Sequence, residues 1–211
     1  DYKGTYCRLI EPTTQQGKED LFLSGESRYV AQQSNFSKIP GSPVAYWVSE
    51  AVVNVFSFGI PLKEIALPRQ GIKTADKDRF LRLWPEVDFF NSNIIGISVL
   101  PKWYPCNKGG HFRKWFGNNE YVVNWENNGF EICNYRDENG KLKSRPQNLI
   151  YMLKEGITYS NISSSTFGVR YSPEGFIYDA AGSGIFCRNH DTLEYVLAFL
   201  TSSVATMLTK I

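Results

Sequence analysis

The residues best placed to do chemistry are cations interleaved with aromatic rings. Between positions 101 and 119 there is no acidic residue, while Lys102, Lys108, Arg113 and Lys114 stand with His111 among Trp103, Tyr104, Phe112, Trp115 and Phe116. Gly109 and Gly110 sit in the middle of the run. Such a segment suits nucleic acid. Lys and Arg neutralise phosphates, backbone N–H groups bared by glycine approach them closely, and planar rings pack on sugars or bases. A core strand with ordinary surface cations would have the same composition, and the residues alone leave the two readings balanced. Two further windows without acid, 139–154 and 156–172, carry Lys141, Lys143, Arg145 and Lys154, then Ser160, Ser163, Ser164, Ser165 and Thr166 near Arg170. Small hydroxyls can bond phosphates or base edges. In a chain of net charge +2, three such windows imply acids segregated elsewhere and one basic face.

Other chemistries lack their signatures. The sequence holds no GxGxxG, no GxxxxGK[ST] and no GxSxG. Gly182-Ser183-Gly184 reads as a turn or bulge rather than a phosphate loop. The four cysteines, Cys7, Cys106, Cys133 and Cys187, form no CxxC, and only His111 and His190 could assist them, so a metal site is not expected. Their expected state is reduced and mostly buried, in a cytoplasmic protein. Asp76 with Asp78 and Glu86 with Asp88 pair carboxylates, a pattern more common in solvated loops than in general acids.

The elements that must carry these residues are short. The pattern predicts a helix over 45–56, strands over 65–69, 80–84 and 121–125, and a weak strand over 93–100. Lys108-Gly109-Gly110 is a loop, Asn127-Asn128-Gly129 a turn, and the polar run 136–145 an exposed hairpin tip. Strands are expected near 157–159, 167–171 and 175–179. Asp191 and Glu194 have capping-box spacing, and Leu193, Val196, Leu197, Leu200, Val204 and Met207 follow helical spacing behind them. The fold class is α+β, a mixed domain of many short strands with a C-terminal amphipathic helix.

A length of 211 residues makes one large domain or two small ones, and 42% hydrophobic residues suffice for a core. No 18-residue apolar stretch predicts a membrane helix, and Asp1-Tyr2-Lys3-Gly4 opens no signal peptide. The chain starts without Met and stops soon after a helical run, so a piece of a longer polypeptide is expected.

Several stretches together resemble one family. Pro43-Val44-Ala45-Tyr46-Trp47-Val48-Ser49-Glu50 resembles PxxYWxSE, and residues 71–84 resemble GLxTGDNDRFLRxW. Residues 102–118 resemble KWxPYNKGGxxRKWYGN, and Asn124-Trp125-Glu126-Asn127 and residues 163–171 continue the likeness. The family is the BREX phage-defence adenine-specific DNA methyltransferases (the PglX family) with related single-chain restriction-modification enzymes. The likeness runs through nearly the whole chain and falls on the region after the methyltransferase domain. It departs at Ala75, where Gly is usual and which argues against a left-handed backbone, and at Cys106, which replaces an aromatic of the DNA loop.

The resemblance implies that residues 1–211 are a DNA target-recognition region of a larger enzyme. The parent would flip an adenine from double-stranded DNA and methylate it using S-adenosylmethionine. The family's Asn-Pro-Pro-Tyr motif and cofactor pocket do not occur here, so this chain is expected to hold no cofactor, no metal and no catalytic residue, and to be inactive alone. The implied partners are duplex DNA, the methyltransferase domain of the same parent and other defence subunits, with no membrane.

The expected DNA contacts are Lys102, Trp103, Tyr104, Lys108, Gly109, Gly110, Arg113 and Lys114, with Arg145 and Ser164. Lys73 and Thr74 are expected on a loop free to reach DNA. Arg79 and Arg82 are expected on opposite faces of a strand, one toward the groove and the other supporting the sheet or pairing with Asp76 or Asp78. Arg170 is expected to suit guanine. Two other classes stay open: a protein-interaction module using the aromatic stripe, and a small metal-dependent nuclease built on Asp76, Asp78 and Glu86.

Overall fold

The computed structural model describes residues 1–94, 96, 99–162 and 167–211. The chain divides into two compact units, residues 1–61 with Ile211, and residues 62–210. In the first, β1 (Lys3–Cys7) pairs antiparallel with β2 (Arg28–Gln32) across the intervening α1 (Gln15–Ser24). Thr14 caps α1 by accepting from the Gly17 N–H, and Gly25 ends it in the left-handed region. The helix expected from Ala45 begins only at Glu50, as α2 (Glu50–Phe58). Before it, Ala45 and Val48 donate to the carbonyls of Pro43 and Ala45 in tight turns. Ile39, Ala45 and Val53 form the small core, with Tyr6 stacked on Tyr46 at 4.8 Å.

The second unit carries every candidate contact. The turn α3 (Leu62–Ile65) leads into β3 (Ala66–Arg69), and α4 (Lys77–Phe80) into β4 (Leu81–Leu83). Then follow β5 (Trp103–Asn107), β6 (Tyr121–Asn124), the helical segment α5 (Glu126–Cys133) and β7 (Gly156–Ser160). The chain continues with β8 (Val169–Ser172), β9 (Ile177–Tyr178), β10 (Gly182–Cys187), α6 (Leu193–Thr201) and α7 (Ser203–Leu208). Two four-stranded sheets result, ordered β3-β10-β7-β8 and β4-β6-β5-β9. The expected α+β class, with many short strands, is what the chain adopts.

Proline positions follow from the ladder. Pro68 lies in the edge strand β3, where a missing N–H costs least. Pro105 sits where β5 changes partner: residues 103–105 pair antiparallel with β6, and Cys106 and Asn107 pair parallel with β9. A second core of Ile72, Phe80, Val123, Trp125, Ile132, Ile177 and Tyr178 includes Cys106. Cys106 is therefore a core position and not part of an exposed DNA loop. Burial pushes its thiol well above the usual range.

Other expectations are corrected. Gly182-Ser183-Gly184 is neither turn nor bulge but the start of β10, an inner strand. A Cβ on Gly182 would lie 2.2 Å from the Asn107 carbonyl oxygen, so glycine here lets two backbones touch. The strand expected over 80–84 is shortened because Asp76 caps α4 through the Arg79 N–H. The described part of 93–100 contains no strand, and positions 95, 97 and 98 lie outside the described residues. The C-terminal helix breaks at Ser202, whose backbone is extended and whose side chain accepts from the Ala205 N–H. Leu193, Val196, Leu197 and Leu200 of α6 are buried against Ile157, Val169 and Ile185, each burial contributing about 1.5–3 kcal/mol before entropy. Val204 and Met207, past the break, are half exposed. The Asp191 capping box does not form; Asn189 accepts from the Asp191 N–H instead.

Candidate nucleic-acid interface

Loops from both sheets converge on the segment after β5. Asp179 N–H donates to the Asn107 carbonyl at 3.0 Å, and Ala180 N–H to Ile72 at 2.7 Å. Ser160 Oγ donates to the Gly110 carbonyl at 3.2 Å. Gly109 and Gly110 have φ of 81° and 132°. A Cβ on Gly109 would stand 2.6 Å from the Ala181 carbonyl, so close approach and backbone sign both require glycine there. Gly109 is buried, whereas Gly110 is open to solvent.

The chain then crosses to the sheet edge. Trp115 donates its N–H to Val169 at 3.1 Å and accepts from Tyr171 N–H at 2.8 Å, pinning 112–116 along β8. A Cβ on Gly168 would meet the Arg113 carbonyl at 2.8 Å. Trp115 itself has φ 71°, an uncommon conformation for so large a residue. The pinned loop turns its rings outward: Phe112, Trp115 and Phe116 are 48%, 54% and 60% exposed. Arg113 is exposed among them.

The other expected contacts separate into groups. Lys108 points inward, 3.9 Å from Asp179 and 5.9 Å from the Tyr121 ring, with its side chain largely covered. Lys114 is exposed but donates to the Thr201 carbonyl at 2.7 Å, a cation closing the C-terminal end of α6. Lys102 lies 5.9 Å from the Trp103 ring, and Trp103 and Tyr104 are half buried. Burial raises the Tyr104 hydroxyl pKa. Ser164 lies outside the described residues.

Three expectations change. Thr74 is buried, so it is not free on the loop, whereas Lys73 beside it is exposed. Arg79 is on the helical turn α4, not in a strand with Arg82. It pairs with Glu131 and lies 5.1 Å from the Tyr135 ring, while Arg82 donates to the backbone carbonyls of Asp78 and Leu81. Neither guanidinium takes the Asp76 or Asp78 carboxylate. Arg170 is 1% exposed within β8, so its side chain does not reach a groove surface. Its burial lowers the guanidinium pKa, with Glu120 opposing, and its Nε has no hydrogen-bond partner among the described residues. The carboxylates of the nuclease reading are engaged structurally: Asp76 caps α4 and accepts from Tyr135, and Glu86 accepts from the Leu83 N–H. Among the described residues no three His, Cys, Asp or Glu side chains gather to hold a metal. Nor is any described helix long and apolar enough to cross a membrane.

Sequence reasoning named Lys73 and Arg145 but missed the cluster that they form. Lys73 and Arg145 pair as an antiparallel bridge, N–H to carbonyl in both directions at 3.1 and 2.8 Å. Around it, Arg145 and Gln147 both donate to Gln70 Oε1, and Asn148 donates to the Gln70 carbonyl. Gln70 and Gln147 are 77 positions apart, so no local spacing announces the cluster.

The chain is 40% identical over 212 residues to the adenine-specific methyltransferase PglX of Lacticaseibacillus casei (strain Zhang). It is 38% identical over 207 residues to the adenine-specific methyltransferase BrxX of Escherichia coli O9:H4 (strain HS). The chain matches one segment of these adenine-specific methyltransferases. Each alignment includes 95% of the chain but only 18% and 16% of the respective relative. No protein-family profile matches the sequence. The motif 102–118 that carries the resemblance is the stretch that builds β5 and the pinned aromatic loop.

Proposed function

We propose that this segment recognises duplex DNA for an adenine-specific methyltransferase of phage defence or restriction-modification. The observation that carries the reading is the pinned loop: three half-exposed rings around an exposed arginine, in a window without acid. Rigid anchoring along β8 means little ordering entropy is lost when the loop meets a partner. Arg113 neutralises a phosphate, Gly110 offers a backbone unshielded by a side chain, and the rings pack on sugar or base edges. Lys73 and Arg145 add two further exposed cations in the same unit, and Lys102, Trp103 and Tyr104 support the strand that launches the loop. The S-adenosylmethionine chemistry belongs to another part of the longer protein, so the segment alone binds no S-adenosylmethionine and transfers no methyl group.

Fluorescence anisotropy with duplex DNA over a range of salt tests the reading. Arg113→Ala should lower the slope of log K against log salt by about 0.9 in magnitude and weaken all sequences alike. Lys108→Ala should change the slope far less, because that cation already faces Asp179. No duplex binding by the wild-type chain, or an unchanged slope in Arg113→Ala, refutes this assignment.

A second reading has its own observation. Trp84, Phe89, Ile94, Pro105, Val122 and Phe176 line an open apolar groove, an appropriate seat for another protein surface such as a domain of the same parent. Loss of a protein contact on Trp84→Ser with DNA binding intact would support it.

A further inference from the structure

The cluster around Gln70 has one feature that chemistry alone determines. Gln147 Nε2 lies 2.7 Å from the Gly71 carbonyl oxygen, which can only accept, so that atom is the amide nitrogen. The same nitrogen faces the Gln70 amide at 3.2 Å, and the Arg145 guanidinium, which can only donate, faces it at 2.6 Å. Two donors converging on one atom require an oxygen there. Gln70 is therefore held with Oε1 turned toward Gln147 and Arg145 and its NH₂ group turned away from both. Asn148, itself left-handed at φ 54°, holds the Gln70 carbonyl at 3.0 Å and fixes the backbone beneath it. Gln70 and Arg145 are both exposed, and Lys73 is exposed on the strand bridge beside them. On the three exposed side chains of this cluster the hydrogen-bonding groups still open are donors, namely the Gln70 NH₂, the remaining Arg145 N–H groups and the Lys73 ammonium, whereas Gln147 and Asn148 are half-buried.

An unconstrained glutamine offers one donor and one acceptor, the pattern that matches adenine in the major groove. Here the acceptor is already used twice. Adenine would set its N6 amino group against another amino group, and cytosine would do the same with N4. Thymine offers a single acceptor, O4, beside its methyl group, whereas guanine presents N7 and O6, both acceptors, and satisfies more than one donor at once. We propose that Gln70, locked by Gln147 and Arg145, reads a guanine in the duplex recognised by this segment. This inference rests on the DNA-recognition reading above. Gln70 and Arg145 touch the base; Gln147 is a positioning residue acting through the orientation of the Gln70 amide.

The test is selection of a randomised duplex library by the purified wild-type, Gln70→Ala and Gln147→Leu chains, with the salt slope of each measured alongside. The wild-type chain should select guanine at a position where Gln70→Ala loses roughly tenfold in discrimination. Gln147→Leu removes one of the two donors that fix Oε1 and leaves Arg145 alone to hold it, so it should weaken the preference for guanine over adenine at that same position, while total affinity and salt slope stay near wild type. That relaxation is something a merely structural role for Gln147 would not produce. If the wild-type chain selects a motif and both variants select it unchanged, the Gln70 assignment is overturned and the DNA-recognition reading survives. If the wild-type chain binds no duplex at all, both fall together.

Discussion

Ala75 shows how a single residue can run against its backbone. Its φ is 67°, although an alanine at that position argues against the left-handed region. The conformation costs an L-residue about 1–2 kcal/mol, and it persists because Asp76 must turn to cap α4. Ala75→Gly removes the steric cost and adds some unfolded-state entropy, so the variant should be about 0.5–1 kcal/mol more stable, read as a shift in urea midpoint. Tyr171 gives a pH signature. It donates to Glu155 Oε1 at 2.5 Å, and that bond, burial and the carboxylates of Glu155, Glu174 and Glu194 push its pKa up to about 12. Unfolded, it titrates near 10. The raised value means that the stabilisation is complete below pH about 10 and is lost as pH rises through about 12. Urea midpoints of Tyr171→Phe should therefore decline less steeply than wild type between these pH values. At this scale the sequence indicates charge and ring type but not direction: Lys108, Thr74 and Arg170 satisfy the composition of a binding surface, yet all three turn inward. Side-chain burial depends on which strand lies opposite, and position in the chain does not encode that.

Among the elements, β10 is the instructive case. Two glycines in three residues look like punctuation, but here Gly182 lets β10 touch the backbone at the end of β5, in the other sheet, and Gly184 makes room for the Phe186 and Tyr178 rings. Gly182→Ala would place a methyl group 2.2 Å from the Asn107 oxygen, a clash that no side-chain rotation relieves. We expect a loss of at least about 3 kcal/mol, measurable by denaturant titration, because the partner is backbone. Where a pattern depends on local periodicity it is legible: β3, β6, β7 and the buried face of α6 fall where alternation and helical spacing put them. The helix break at Ser202 is less so, since apolar spacing continues through Val204 and Met207 although the backbone does not. The left-handed run Asn127-Asn128-Gly129 is legible from residue type, as Asn and Gly tolerate positive φ.

At the scale of the whole molecule, the candidate contacts all fall within residues 62–210. A chain restricted to that unit should keep the duplex affinity and salt slope of the full segment in anisotropy measurements, while residues 1–61 alone should bind no DNA. The long central motif made the family resemblance legible, since it both builds the loop and identifies relatives. The Gln70 cluster stayed hidden because it assembles across two loops brought together by the fold. Within 62–210, β10 alternates its faces: Phe186 enters the core around Tyr178, and Ile185 enters the core beneath α6. β5 likewise belongs to the ladder with β6 and to the one with β9. A strand with a side chain in each core cannot leave one while staying in the other. Loss of either core thus removes support from both, so heat or denaturant should dismantle this unit in a single concerted transition, with circular dichroism and tryptophan fluorescence tracing one midpoint and no half-melted state in which one sheet outlives its neighbour.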